Sequence, residues 1–457
     1  MPSLEELFSQ VDAAREDIIA LNQALVRIPS VNTGTMPTGN ETPVCEYVRD
    51  WLAEDGISSE ILESAPGRGN LISRLEGSSG NAGLLLMSHT DVVPVEDEGK
   101  WRFPPFSATI HDDRIYGRGA SDCKGLLTAQ MMAVRLLRRN GIDLKDSLIL
   151  AAGADEEHGG RYGFGWLAEH HPERLKAPFA VNEGGGVPID APSGLTYLLG
   201  VGEKGRLQVE LNIKGSSAHA SMPWLGTNAL YRLSQVLSRI EEYDAELDTS
   251  TSLFEHLSLF AIEDKPSPEN VNQIIAELQP RNPRFASMLR ALSRMTLTPT
   301  MVNGGIKSNS VPESIRLTCD VRTLPHQDDR YVAQQLEQVL EGIPGVEVEI
   351  DYMAVPNSSS FDTDLARSIR AATAQALGID DIQWVPAISN GFTDSRFTRP
   401  LGIVTYGFSG SHPDDDPMLN RTHGTDESVG IKSLISGTKI MLALACDMLA
   451  GSPVATR

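Results

Sequence analysis

Cysteine is scarce in this chain. Cys45, Cys123, Cys319 and Cys446 are scattered, with no paired spacing. That argues against a disulfide framework. It fits free thiols in a reducing compartment, so cytoplasm is the expected location. Positive charge is also short: 39 Lys and Arg stand against 61 Asp and Glu, a formal net charge of −22. Such a surface repels phosphate backbones, so no nucleic-acid partner is expected. Long apolar runs are missing, which leaves nothing to span a membrane as a helix. The opening Met-Pro-Ser-Leu-Glu-Glu lacks the basic and apolar regions of a signal peptide.

What the chain does have is length and pattern. At 457 residues it exceeds what one core usually serves, and its 40% hydrophobic and 22% charged residues suit a soluble globular protein. Two domains are expected. Ser3 with Glu6 reads as a capping box ahead of helical spacing that runs to Ile28. Further helices are expected over 42–55, 123–139 and 364–377, and a long one over 429–449. Short apolar runs at 84–87, 147–152, 179–181 and 403–406 read as buried strands alternating with those helices, which is an α/β pattern. Between them the style changes. Leu207, Val209, Leu211 and Ile213 alternate strictly, as do 315–321, with helices expected at 222–243 and 328–341. Residues 248–300 carry five prolines and are read as irregular, apart from a helix near 285–294. The expected architecture is a discontinuous α/β domain of residues 1–202 and 356–457, interrupted by a smaller α+β insert of 203–355.

Five polar clusters fall at strand ends or in loops of the discontinuous domain, where open α/β sheets build their sites. They are His89-Thr-Asp91, Asp122, Glu156-Glu157, Glu183 before three glycines, and His423 in Thr422-His-Gly-Thr-Asp-Glu427. Two imidazoles and several carboxylates suit borderline cations such as zinc. Taken singly, each has a plain alternative. Asp122 precedes a helix and could be its N-cap. Glu156-Glu157 could be a solvated loop, Glu183 turn chemistry, and His423 a surface residue. The five together, each at an expected site position, argue for one centre.

At these residues the chain resembles the co-catalytic zinc hydrolases that include aminoacylase, acetylornithine deacetylase, succinyl-diaminopimelate desuccinylase and carboxypeptidase G. The matching stretches are Ser88-His-Thr-Asp-Val-Val93, Tyr116-Gly-Arg-Gly-Ala-Ser-Asp-Cys-Lys-Gly125, Ala154-Asp-Glu-Glu-His-Gly-Gly160 and the loop at Glu183. Gly215-Ser-Ser-Ala-His-Ala-Ser-Met-Pro223, Asn309-Ser-Val-Pro312 and the stretch at His423 complete them. The resemblance implies a zinc-exopeptidase-like α/β/α catalytic domain and a ferredoxin-like insert serving as lid and dimerisation domain. It implies two divalent metal ions, zinc with cobalt or manganese as alternatives, bridged by Asp122. His89 and Glu183 would complete one site, Glu157 and His423 the other. Asp91 would steady His89, and the Asp122–Cys123 peptide would be cis.

Two close cations lower the pKa of a shared water and polarise a carbonyl. Neighbouring side chains diverge, so Glu157 can serve as ligand while Glu156 acts as general base and hands the proton to the leaving amine. His219, in the insert, is the candidate donor to the oxyanion. In the resembled family this histidine often reaches the other subunit's site, which implies a homodimer through the insert. A substrate carboxylate would fall to Arg322, Asn309 and the loop containing Gly391 and Thr393. That loop reads Asn390-Gly-Phe-Thr where relatives often carry consecutive glycines.

The expected activity is hydrolysis of an amide beside a free carboxylate in a small molecule. An N-acyl-amino-acid deacylase comes first, because Glu at the position of Glu183 is common among the family's deacylases. A carboxypeptidase or dipeptidase with the same chemistry is the alternative, and a non-catalytic binding protein on the same scaffold is the rival of another class.

Overall fold

The computed structural model describes residues 2–452, 454 and 455. Met1, Pro453, Thr456 and Arg457, at the ends of the expected catalytic domain, lie outside the described residues. The chain divides into two compact units. One consists of Met1–Val201, Ser359–Ala387 and Thr393–Arg457, the other of Gly202–Ser358 with Ile388–Phe392. The second unit is thus wider than the expected 203–355 and takes back a short piece of the loop around Gly391.

In the first unit, four parallel strands form the middle of a mixed sheet, in the order Ser147–Gly153, Ala82–His89, Phe179–Asn182, Val404–Gly407. Gly69–Leu75 and Ser59–Glu63 extend one side antiparallel, and Gly194–Glu203 the other. Both faces are covered. Leu85, Met87, Ile149 and Ala151 pack with Phe164, Leu167 and Leu175 on one side. Alternate residues of a strand point oppositely, so Leu84 and Leu86, also fully buried, turn to the other face. Burial on both faces explains why Leu84–Met87 is an unbroken apolar run.

The second unit is α+β, with an antiparallel sheet ordered Thr296–Gly304, Ser314–Thr323, Gly205–Lys214, Val346–Ala354. Leu207, Val209, Leu211 and Ile213 face a core shared with Val236 and Ile240 of helix Ala229–Glu241 and Val332 and Leu336 of helix Asp329–Val339.

Several boundaries differ from expectation. The first helical run is two helices, Leu4–Ala13 and Arg15–Val26, although the Ser3–Glu6 capping box forms. The run read as 222–243 opens with a 3-10 turn, Pro223–Leu225, and its helix begins only at Ala229, where the Asn228 side chain caps Leu230 N. Residues 248–300 are not irregular. They hold a 3-10 stretch, Ser252–Phe260, helices Val271–Leu278 and Pro283–Leu292, and the edge strand Thr296–Gly304. Pro299 hid that strand. A proline is tolerated there because the strand is an edge and its register shifts between Pro299 and Met301. Among the described residues, no helix is long and apolar enough to cross a membrane.

Candidate active site

The C-terminal ends of the parallel strands converge. Strand Ala82–His89 ends on His89, strand Ser147–Gly153 leads into the 3-10 turn Glu156–His158, and strand Phe179–Asn182 is followed by Glu183. His89 Nε2 lies 2.9 Å from Asp122 Oδ1 and 3.6 Å from Glu183 Oε1. Asp122 turns its other oxygen to His423, 3.1 Å from Nε2, and the same nitrogen is 3.0 Å from Glu157 Oε2. Two groups of potential metal ligands therefore share Asp122, and Cys123 Sγ adds to the first. Helix Lys124–Arg139 starts after Asp122 with no side-chain cap, so Asp122 is not its N-cap. Glu156 is 8% exposed and no solvated loop residue. The Asp122–Cys123 peptide is cis. His423, at φ +62°, and Asp155, at φ +66°, hold left-handed backbone conformations. Such strain clusters at functional sites, at about 1–3 kcal/mol each.

Like charges crowd here. Burial, then Asp122, pushes the Glu183 carboxyl up to about 7. Burial, then Glu183, drives Glu156 well above the usual carboxylate range. Burial also raises Glu157, although His423 opposes it. Asp122 goes the other way: burial would raise it, but hydrogen bonds from His423 and His89 pull it below the usual range. Those bonds, to Asp122 and then Glu157, lift His423 to about 10. Burial would lower His89, yet Glu183 and its other anionic neighbours outweigh it and hold the imidazole well up. The crowded carboxylates call for positive charge. A pair of dications would supply that charge with the same donors, two imidazole nitrogens and three carboxylates, so the residues fit a dinuclear metal site.

Behind this cluster lies a network of which the sequence advertised only the Asp91–His89 pair. His89 Nδ1 is 3.0 Å from Asp91 O and 3.3 Å from Asp91 Oδ1, which leaves Nε2 facing the cluster. The Asp91 carboxylate also accepts from the backbone N–H of Glu156 (3.1 Å) and Glu157 (3.2 Å), and from Asn32 Nδ2 (2.8 Å). One buried side chain thus orients the imidazole and both glutamates. Asn32 donates onward to Asp155 Oδ1, 3.0 Å away, and Arg68 Nη2 bridges Asp155 (2.9 Å) and Glu41 (2.8 Å), all buried. On the other flank, Glu427 accepts from Ser121 N and Asp122 N, both at 3.2 Å, and from Arg118 at 2.6 Å, fixing the turn that presents Asp122. Arg68→Met removes the only positive partner that Glu41 and Asp155 share in this network. It is expected to cost about 3–5 kcal/mol in denaturant unfolding. A loss under about 1 kcal/mol would show that the triad does not support the site.

The remaining candidates divide between the units. In the second, His219 pairs in a short ladder with Ser310, which places it beside Asn309 at an exposed hollow. His219 Nδ1 accepts from Ser221 N at 3.2 Å, so Nε2 carries the proton and is available as a donor. Arg322 is not a free fork. Nε and Nη2 bond Asp320 at 2.7 and 3.4 Å, and Nη1 donates to Asn390 O at 3.0 Å, so it braces the loop before Gly391. Gly391 N donates to Ser389 Oγ. Thr393, in the first unit, receives Asn182 Nδ2 and Ser395 N at its hydroxyl, tying it to the strand that precedes Glu183. Its neighbour Asp394 is buried with neither carboxylate oxygen hydrogen-bonded among the described residues. Asn32, Asp155 and Asp394 carry no spacing signal, because the topology brings them in from separate loops.

A doubly covered α/β sheet with such a cluster at its strand ends places candidate metal ligands where these sheets build their sites. The model of Peptidase family M20/M25/M40 matches residues 85–447, and the chain belongs to this family, which makes it a metallohydrolase acting on amide bonds. Among its relatives is a probable succinyl-diaminopimelate desuccinylase of Staphylococcus aureus, 27% identical over 78% of this chain and 82% of its own. The human N-fatty-acyl-amino acid synthase/hydrolase PM20D1 is 26% identical over 94% of this chain and 88% of its own. The M20 family metallo-carboxypeptidase Sso-CP2 from Sulfolobus solfataricus shares the fold, with TM-score 0.69 and 22% identity over 93% of this chain and 98% of that one.

Proposed function

We propose that this chain is an N-acyl-amino-acid amidohydrolase that cleaves the amide beside a free carboxylate. The observation that carries the reading is the meeting of His89 and Glu183 on one oxygen of Asp122 and of His423 and Glu157 on the other side, with Glu156 next to them. The cofactor is two divalent ions, zinc by donor chemistry, with cobalt or manganese able to substitute. When bound, such ions supply Lewis acidity and a more acidic water. The chain supplies the rest. Glu156 takes a proton from the attacking water and returns it to the leaving nitrogen. Asp91 holds His89 and the Glu156–Glu157 backbone in register. His219 Nε2–H donates to the oxyanion.

The test is a screen of zinc-loaded protein against N-acyl amino acids and unblocked dipeptides, with metal content measured alongside. Turnover confined to N-acyl amino acids supports the deacylase. Turnover confined to dipeptides would move the chain to the peptidase branch, and two bound ions without any turnover would make it a binding protein.

Support for a homodimer through the second unit comes from its surface, where Trp224 is 88% and Ile306 95% exposed, with Leu225 and Tyr231 also bare. His219→Ala is expected to lower kcat by about 10²–10³ while leaving two ions bound. An unchanged kcat would remove the oxyanion role, and a lost ion would make His219 structural.

A further inference from the structure

The first unit holds a cavity of about 340 Å³ that starts at Asp122 and Glu183 and that the chemistry above does not use. Apolar side chains form the larger part of its wall, with hydroxyls, Asn420 and the two carboxylates making up the rest. Leu126 and Ala129 lie one turn apart on helix Lys124–Arg139, Leu434 comes from helix Ile431–Leu449, and Val187 and Leu198 are directly paired across two antiparallel strands. Ala387 closes part of the remaining wall.

Several polar groups on the wall are engaged by the protein. Ser409 Oγ donates to Gly185 O at 2.9 Å. Ser433 Oγ donates to Asp415 Oδ2 at 2.7 Å and accepts from His412 N at 3.0 Å. Asn420 Oδ1 accepts from the Arg114 guanidinium. Among the described residues no Lys, Arg or His lines the cavity, and the charged side chains that border it, Asp122 and Glu183, belong to the metal site. Away from that site an anionic group would lose water and find no side-chain cation in direct reach, with the Arg114 guanidinium behind Asn420 offset by Asp415 behind Ser433. An apolar group pays no such cost against the apolar part of the wall. Size sets the second limit. A dry cavity of roughly 150 Å³ accepts a benzene ring, so this one takes a phenyl-sized group or a chain of about six carbons with room to spare. An acetyl methyl leaves most of it unfilled.

We propose that this cavity is the acyl-group pocket, and that it selects uncharged, apolar acyl groups of medium length over both acetyl and succinyl. The proposal rests on the reading of the site as an amide-cleaving one. It assigns the acyl side of the bond to the first unit.

The test compares N-acetyl-, N-hexanoyl-, N-benzoyl- and N-succinyl-leucine on the zinc-loaded full chain. Hexanoyl and benzoyl should exceed acetyl and succinyl in kcat/KM by about tenfold or more, as burial of several methylenes implies. Equal rates, or a preference for acetyl or succinyl, would overturn the proposal. Ala387→Phe narrows the cavity and should reduce the hexanoyl-to-acetyl ratio at least about fivefold. An unchanged ratio would place the acyl group elsewhere. Calorimetric titration of the wild-type chain with hexanoate, acetate and succinate decides the matter independently of turnover. Hexanoate should bind about tenfold more tightly than either. If no acyl amino acid is cleaved, the amide-cleaving reading fails, while these titrations still uphold or overturn the apolar pocket.

Discussion

Glu156→Gln should keep both metal ions and lose about 10³–10⁴-fold in kcat. The substitution preserves volume and removes only the ability to take a proton. Its local structure is set by the backbone, through the Glu156 N–H bond to Asp91 Oδ1, which glutamine retains. The side chain is buried, and that burial, with Glu183 nearby, raises its affinity for a proton. Its neighbour Glu157 sits 3.0 Å from His423 and is committed to the cluster, so it cannot take over as base. The measurement pairs metal analysis with steady-state kinetics. A kcat within tenfold of wild type would mean another group moves the proton, and a loss of metal would mean Glu156 holds an ion rather than a proton.

How much of this was readable from the residues depends on how local the cause was. Strand Ala82–His89 announced itself because burial on both faces demands an unbroken apolar run, and its last residue is the imidazole. The strict alternation at Leu207–Ile213 was equally plain, because one face of that sheet packs on helices. Strand Thr296–Gly304 was hidden because an edge strand with a bulge tolerates Pro299, and no local pattern says which strand is an edge. Arg322 is expected at a substrate carboxylate, but its partner Asp320 lies two residues away on the same strand, and alternation puts both on one face. Asn32, Arg68 and Asp394 are different. Each is an isolated polar residue in a loop, and each matters only because the chain returns from far away to meet it. The cavity wall has the same character, drawn from two α-helices and four strands separated by up to about three hundred residues.

Asp122→Asn should reduce bound metal from two ions to at most one and lower turnover by more than about 10³-fold, a larger structural effect on the site than any other single exchange. Asp122 is where the two ligand groups meet: Oδ1 faces His89 at 2.9 Å and Oδ2 faces His423 at 3.1 Å. Asparagine keeps the shape but replaces one oxygen with an NH2 that cannot donate an electron pair to a cation, and it removes the negative charge shared by both positions. The turn should survive, because Glu427 holds the backbone N–H groups of Ser121 and Asp122 rather than the side chain. His423→Ala is the informative control. It deletes a donor from the Glu157 side alone, so one ion should remain at His89 and Glu183. If Asp122→Asn and His423→Ala lose the same single ion and the remaining one binds with wild-type affinity in both, the two groups do not share Asp122. If Asp122→Asn binds two ions with unaltered affinity, the bridge is wrong. The expected ranking, both positions weakened by Asp122→Asn and one by His423→Ala, follows from a single carboxylate whose two oxygens point at two different imidazoles.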